Sequence, residues 1–228
     1  MWPLKTGPTQ LTRRLVSDGD RVFVTLGITE PVSCVENCGI TGGETVVVVG
    51  AGPLGILNLH VARKYGAAKL ILAQRAGKRL AQAAGFACDR LVDTTTEDLA
   101  AVVKSETGGI GADVVIVAAP EASAQEQSLD LVRKRGTVCL FASLPAGSSM
   151  LSLDSRKIHY NELHVCGASD STPEHVRKAV SFLAQPDFPG SKIANPLLRL
   201  ADIDKAFAVM EARDGMRVVL RPERFARP

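Results

Sequence analysis

Residues 45–55 read TVVVVGAGPLG. Five strand-forming residues run without a break into Gly50-Ala51-Gly52-Pro53-Leu54-Gly55, and a helix-length segment, Pro53 to Tyr65, follows directly. The spacing G-x-G-x-x-G has a physical reading in that setting. Gly50 permits a tight turn, Gly52 lets the backbone come close to a pyrophosphate, and Gly55 lets the helix pack close to the strand. The helix N-terminus adds amides with no partner inside the helix, which suit an anion. A glycine turn alone is a weak signal, since it also serves simple packing or another nucleotide-like ligand; between a strand and a helix it predicts a dinucleotide site.

Working outward, short β-branched runs alternate with amphipathic segments. That pattern predicts a mostly parallel sheet covered by helices on both faces. After Tyr65 the expected elements are a strand over 69–73, a helix over 78–84 and a short strand over 90–93. The second half is read as a helix over 97–106, a strand over 111–119, a helix over 123–134 and a strand over 136–142. A sixth strand, LHVCG at 163–167, follows a more polar connection. Six strands in two mononucleotide-type halves make a doubly wound α/β sheet of the Rossmann type. The tail adds two helices, 173–184 and 201–213, and a strand, RVVLRP. Three regions are expected: 1–29 as an N-terminal remnant, 30–167 as the dinucleotide-binding domain, and 168–228 as a C-terminal segment that belongs to the remnant of a second lobe and needs something to pack against.

About 20 residues after the glycines, an enzyme that uses NAD places Asp or Glu at the end of the second strand, against the ribose 2'-hydroxyl. Here the window reads Ala73-Gln74-Arg75-Ala76-Gly77-Lys78-Arg79, without a carboxylate. Gln74 removes a charge that would repel a 2'-phosphate, and Arg75, with Arg79 one turn on, offers a guanidinium to pair with it. The window favours NADP(H) over NAD(H); arginines after such a strand also serve as solvated helix residues.

Composition excludes other classes. The net charge of +3 arises from interleaved charges, not a basic tract, so no nucleic-acid footprint is expected. No run reaches the roughly 18 apolar residues of a membrane span, and the start lacks the apolar core of a signal peptide, so a cytoplasmic protein is expected. The five cysteines, Cys34, Cys38, Cys88, Cys139 and Cys166, are odd in number and set in apolar surroundings, as in a reduced interior. Cys34 and Cys38, four residues apart on one helix, could share a metal, but a plain apolar helix face is favoured because no third or fourth ligand is evident. His60, His159, His164 and His175 have no partner at a catalytic spacing and are read as structural.

Several stretches together resemble the medium-chain dehydrogenase/reductase family, the zinc-type alcohol dehydrogenases, in its sorbitol and threonine dehydrogenase-like branch. They are Glu30-Pro31-Val32-Ser33-Cys34-Val35, GETVVVVGAGPLG, Asp113 to Ala119, His159-Tyr160-Asn161-Glu162-Leu163, and Ala201 to Phe207 followed by RVVLRP. The resemblance implies that Ala118, Ala119 and Pro120 lie beside the cofactor, and that Phe141, Ala142, Ser143 and Leu144 lie near the nicotinamide. It implies hydride transfer between an alcohol or carbonyl substrate and the cofactor, with a zinc ion polarising the oxygen.

The chain departs from that family in its second, GroES-like lobe. No Gly-His-Glu segment and no four-cysteine loop of the family's structural zinc occur. Gly19-Asp20-Arg21-Val22 resembles a strand of that lobe, yet only seven residues separate it from Glu30. The chain therefore looks truncated, internally deleted or split, with no substrate-specifying lobe of its own. Glu30 corresponds to a glutamate in or beside the family's zinc site; alone it cannot hold zinc, and a helix-start carboxylate favoured by the helix dipole is the simpler reading. The expectations are an NAD(P)-dependent alcohol or polyol dehydrogenase completed by a partner chain, or a non-catalytic NADP(H)-binding module. A zinc-independent quinone or enoyl reductase would need the same missing lobe, and a methyltransferase explains neither the paired halves nor the tail. Dimerisation through the edge strand at 163–167 is expected as well.

Overall fold

The computed structural model describes residues 19–222, with side chains from Gly27 onward. The first 18 residues of the expected N-terminal remnant and the last six of the tail lie outside the described residues. The elements in chain order are α1 (Gly19–Asn37), β1 (Thr45–Val49), α2 (Pro53–Lys64), β2 (Lys69–Gln74), α3 (Lys78–Ala83), β3 (Arg90–Asp93), α4 (Leu99–Glu106), β4 (Ala112–Val117) and α5 (Ala122–Gln127). Then come β5 (Val132–Leu140), α6 (Ser155–Tyr160), β6 (His164–Gly167), α7 (Pro173–Leu183), α8 (Gly190–Ile193), β7 (Leu197–Arg199), α9 (Ile203–Ala212) and β8 (Val219–Arg221). Strands β1 to β6 form one parallel sheet in the order β3-β2-β1-β4-β5-β6. This is the doubly wound arrangement expected from the alternation of runs.

The valine runs make sense in this sheet because its central strands are buried on both faces. Val46, Val48, Leu70, Leu72, Val114 and Ile116 enter one core, under α1 and α2. Val47, Ile71, Ala73, Val115, Val117 and Val138 enter the other. A strand with two apolar faces needs no polar alternation, so it reads as a continuous hydrophobic run. Each of these side chains removed from water contributes about 1.5–3 kcal/mol. No helix among the described residues is long and apolar enough to cross a membrane.

Four local readings are corrected. Gly19 to Val22 opens the helix α1 and is no strand. A strand must find ladder partners, whereas a helix satisfies its own backbone, and neither described sheet includes these residues. Downstream, Ile28, Val32 and Val35 repeat at helical spacing and are fully buried, which anchors the helix to the sheet. Glu30 consequently lies within α1, not at its start.

The helix expected over 123–134 stops at Gln127 and passes through a 3-10 turn, Ser128–Asp130. β5 begins at Val132, whose register partner is Ala112, and resumes at Thr137 opposite Val114. The residues between bulge out: Arg135 takes φ 59° and Arg133 Nε donates to Asp113 Oδ1 at 2.6 Å. A helical reading of Leu131 to Lys134 could not see the cross-strand partner that captured them.

The tail does not stand apart from the sheet. Ala179, Leu183, Ile193, Met216 and Val219 join the same core as Val46 and Ile56. α1 runs without a break through residue 29 and packs against α2 and α7. The closing strand β8 pairs in parallel with β7 in a separate two-stranded sheet.

Candidate cofactor site

The turn after β1 is built around two glycines with no room for a side chain. Gly50 has φ 105°, and a Cβ there would stand 2.8 Å from the Ala119 amide nitrogen at the end of β4. A Cβ on Gly55 would run into the Gly50 carbonyl oxygen. The first demands a left-handed turn against a neighbouring strand, and the second lets α2 sit directly on that turn. Gly52 precedes α2 in extended conformation with open space where a Cβ would be, and Pro53 occupies the first helical position. Hydrogen bonds from Gly50 N to Ala73 O (2.8 Å) and from Ala118 N to Val49 O (2.8 Å) tie the turn to both flanking strands.

Gly50 and Gly52 face a cleft of about 710 Å³ at the carboxyl ends of β1, β2 and β4, where the strand order reverses. Gln74, Arg75, Arg79, Ala118, Ala119 and Pro120 also line it. Ala51 is buried, and Leu54 leans on the core beneath α2. Phe141 and Ala142 donate their amides to Val117 O (3.1 and 2.9 Å), following β5 off the sheet. With Ser143 they stand outside the cleft lining.

Gln74 does more than avoid a charge: its Oε1 accepts a hydrogen bond from the Ala51 amide at 2.8 Å, clamping the turn to the end of β2. Arg75 reaches across to Glu121, beyond the end of β4, and is two-thirds exposed. Arg79 donates to the Gly215 carbonyl (2.8 Å) and to Gln82 Oε1 (2.9 Å), so it braces the tail. The tail supplies a third guanidinium to the cleft, Arg213, the left-handed residue that ends α9 at φ 55°. Sequence reading missed Arg213, since nothing in its neighbourhood marks it and only the fold brings it to the glycine turn. The carboxylates that line the cleft are engaged elsewhere: Glu97 with Arg90, Asp98 as the cap of α4, Glu121 with Arg75 and Asp130 with Lys157.

Two of the histidines, His60 and His175, make structural contacts. His60 packs between Phe86 and Phe188, at ring distances of 5.9 and 6.2 Å, and burial pushes it down to about 4. His175 closes a capping box with Thr172 and faces Glu36 at 3.3 Å. Burial works to raise the Glu36 carboxyl, but hydrogen bonds from Lys178 and Tyr65 outweigh it and hold it below the usual carboxylate range.

The cysteines lie in or against the core as free thiols, as expected, but three of them, all buried, also lie together. Cys34 Sγ lies 3.5 Å from Cys139 Sγ, and with Cys38 the three sulfurs lie within 4.8 Å of one another. Cys166 is the register partner of Cys139 on β6, so it stands beside Cys139 on the same face of the sheet, next to the group of three sulfurs but not part of it. A third sulfur beside the Cys34–Cys38 pair thus exists, brought in by a strand rather than by the helix, with Cys166 on the neighbouring strand. Glu30 joins no group of three or more metal-ligating side chains among the described residues, so the family's catalytic zinc does not fit there.

Comparison with known proteins agrees with this architecture. The family described as zinc-binding dehydrogenase matches residues 53–185, more than half of the chain. The chain is 29% identical over 203 residues to a sorbitol dehydrogenase of Halalkalibacterium halodurans, covering 86% of this chain and 58% of that protein. It is 30% identical over 188 residues to a D-arabitol-phosphate dehydrogenase of Enterococcus avium, covering 80% and 52%. The crystal structure of an alcohol dehydrogenase from Thermotoga maritima superimposes with a TM-score of 0.77 at 25% identity, over 86% of this chain and 55% of that one. The chain thus spans little more than half the length of these relatives. The glycine turn, the strand order and the match over 53–185 agree, and the chain belongs to the zinc-binding dehydrogenase family.

Proposed function

We propose that this chain is the nucleotide-binding half of an NADP(H)-dependent alcohol or polyol dehydrogenase. The reading rests on one observation above all: Gly50 and Gly55 leave no space for side chains, and the cleft they open carries Arg75 and Arg213 but no carboxylate at the end of β2. The first-turn amides of α2 would hold the pyrophosphate. Gln74 keeps the turn in place, and Arg75, released from Glu121, would pair with a 2'-phosphate in bidentate fashion. Arg79 and Arg213 add positive charge to the same end, while Ala118, Ala119 and Pro120 form the wall beside the dinucleotide. Phe141, Ala142 and Ser143 are assigned to the nicotinamide end. When bound, the nicotinamide ring exchanges a hydride with an alcohol or carbonyl carbon.

Glu30 cannot act as the zinc centre by itself, so polarisation of the substrate oxygen is assigned to a lobe outside this chain. We read residues 1–29 and 168–228 as the joints to that lobe. Ile203, Phe207 and Met210 on α9 are exposed apolar side chains of the kind such a joint would cover. The unpaired edge of β6 is the expected dimer contact. Five free cysteines support a reducing, cytoplasmic location, which cell fractionation checks. A non-catalytic NADP(H)-binding module is the second reading, favoured because Glu30 joins no group of three or more metal ligands among the described residues.

Calorimetric titration of the purified chain with NADPH and NADH, side by side, tests the proposal. NADPH is expected to bind more tightly, by about tenfold for one added charged contact. Binding of neither nucleotide would end the dinucleotide reading for this chain. Light scattering at micromolar concentration reports the dimer, and a monomer refutes that contact.

A further inference from the structure

Three of the five cysteines converge, and a fourth stands beside them on the neighbouring strand. Cys34 lies on α1 and Cys38 one turn on, just past its end, Cys139 sits in the body of β5, and Cys166 is its register partner on β6. Cys88 stands apart, half-buried before β3. Cys34, Cys38 and Cys139 are buried, and Cys166 is partly open to solvent. None of the four lines the cofactor cleft.

Packing alone asks little of these positions, because Ala, Ser or Val fills a similar volume, and scattered thiols would satisfy the core equally well. Mutual contact of the sulfurs is a narrower arrangement. Around a tetrahedral zinc-type ion with metal–sulfur bonds of about 2.3 Å, neighbouring sulfurs stand roughly 3.8 Å apart. The 3.5 Å between Cys34 and Cys139, and the 4.8 Å limit that contains all three buried sulfurs, bracket that value. A disulfide would instead draw one pair to about 2.05 Å and leave the other two sulfurs without a role. The donor set is also right in kind, since thiolates select soft d10 ions over calcium or magnesium. Cys166, at the open side, supplies an entry path.

We propose that the Cys34, Cys38 and Cys139 cluster binds a zinc-type divalent ion, with Cys166, the register neighbour of Cys139, turning in as the fourth ligand to close a tetrahedral site that staples α1 to the edge strands β5 and β6. Binding breaks four S–H bonds, forms four metal–sulfur bonds and releases four protons to solvent, with no change of oxidation state. The ion offsets two of the four thiolate charges, and the partly open Cys166 lets the remainder meet water. With four protein ligands the site has no position for substrate, so its role is structural. It shares no residue with Glu30 or the glycine turn, and stands or falls independently of cofactor binding.

Titration of the reduced, metal-free full chain with cobalt(II), followed by zinc(II), tests the site. One cobalt per chain is expected, with the sulfur-to-cobalt charge-transfer absorption and the strong visible bands of tetrahedral coordination, all abolished by zinc. Cys139→Ser should lose the signal, and Cys88→Ser should keep it. Cys166→Ser, at the open side and least prone to unfold, should weaken binding and alter the visible bands. On the unmodified chain, zinc should slow alkylation of Cys166 and leave Cys88 unchanged. Absence of the charge-transfer band in the wild-type chain, an unchanged signal in folded Cys139→Ser, or a disulfide among the four found by mass spectrometry would each overturn the site.

Discussion

The glycine turn and the thiol cluster bring functional groups together in opposite ways. In the turn, six consecutive residues make the whole device: a strand delivers Gly50, a helix starting at Pro53 carries Gly55 in its first turn, and the two collide unless both lack side chains. In the cluster, residues 34, 38 and 139 meet because a helix lies across one face of the sheet, and residue 166 stands alongside because two parallel strands are in register. Local sterics determine the first, so its spacing is legible in the chain. Long-range packing determines the second, and no spacing betrays it. The cofactor cleft is a hybrid, with its floor made locally and one of its guanidiniums, Arg213, delivered by the tail.

The sharpest way to break the local device is Gly55→Val. Its side chain has no place to go but the Gly50 carbonyl, and a loss of more than about 3 kcal/mol in urea unfolding is expected, with loss of nucleotide binding. Retention of both would mean that the helix and turn are not tightly nested. The next effect probes the junction of α2 with the tail. His60 is pushed down to about 4 by burial first and by Lys64 second, from an ordinary value near 6.5. Between those values the unfolded chain binds more protons than the folded chain. Stability therefore falls as pH drops through that window, with a slope of at most about 1.4 kcal/mol per pH unit and a loss of roughly 3 kcal/mol in all. His60→Leu should flatten that limb of the stability profile; an unchanged slope from pH 6.5 to 4 would show that His60 is not the group responsible.

Smaller effects separate the cleft's chemistry from its scaffold. Arg75→Ala is expected to cost about 1–2 kcal/mol in NADPH affinity while leaving NADH affinity alone, measured by paired titrations. Its effect on stability should stay within about 0.5 kcal/mol, because the Arg75–Glu121 pair is exposed. Equal losses for both nucleotides would deny Arg75 a role at the 2'-phosphate. Asp98→Ala removes the acceptor for the Ala100 and Ala101 amides at the start of α4. About 1 kcal/mol of stability should go with it in thermal unfolding, with no change in nucleotide preference.

Much of the fold is legible in the sequence because its elements are decided over short distances. The valine runs, the glycines that end helices and the glycine turn predict six parallel strands in their observed places. The misreadings share one cause. Gly19 to Val22 resembles a strand, yet a strand exists only through its neighbours. Arg133 and Lys134 extend a helical pattern, but Asp113 and Ala112 on β4 hold them at a bulge. Gln74 and Arg75 stand out in the sequence, although the bond from Ala51 to Gln74 is not foreseeable there, because it depends on how the turn folds back over β2.

By itself, the sequence determined the α/β alternation, the two-faced burial of the central strands and the placement of the phosphate-binding turn. Each follows from the conformational limits and hydrophobic patterning of adjacent residues. Only the tertiary structure decided that Arg213 faces the cofactor cleft, that Glu30 joins no group of three or more metal ligands among the described residues, and that three distant cysteines cluster with a fourth on the next strand. Those relations are set by strand register and helix packing, which depend on how far-separated segments bury one another.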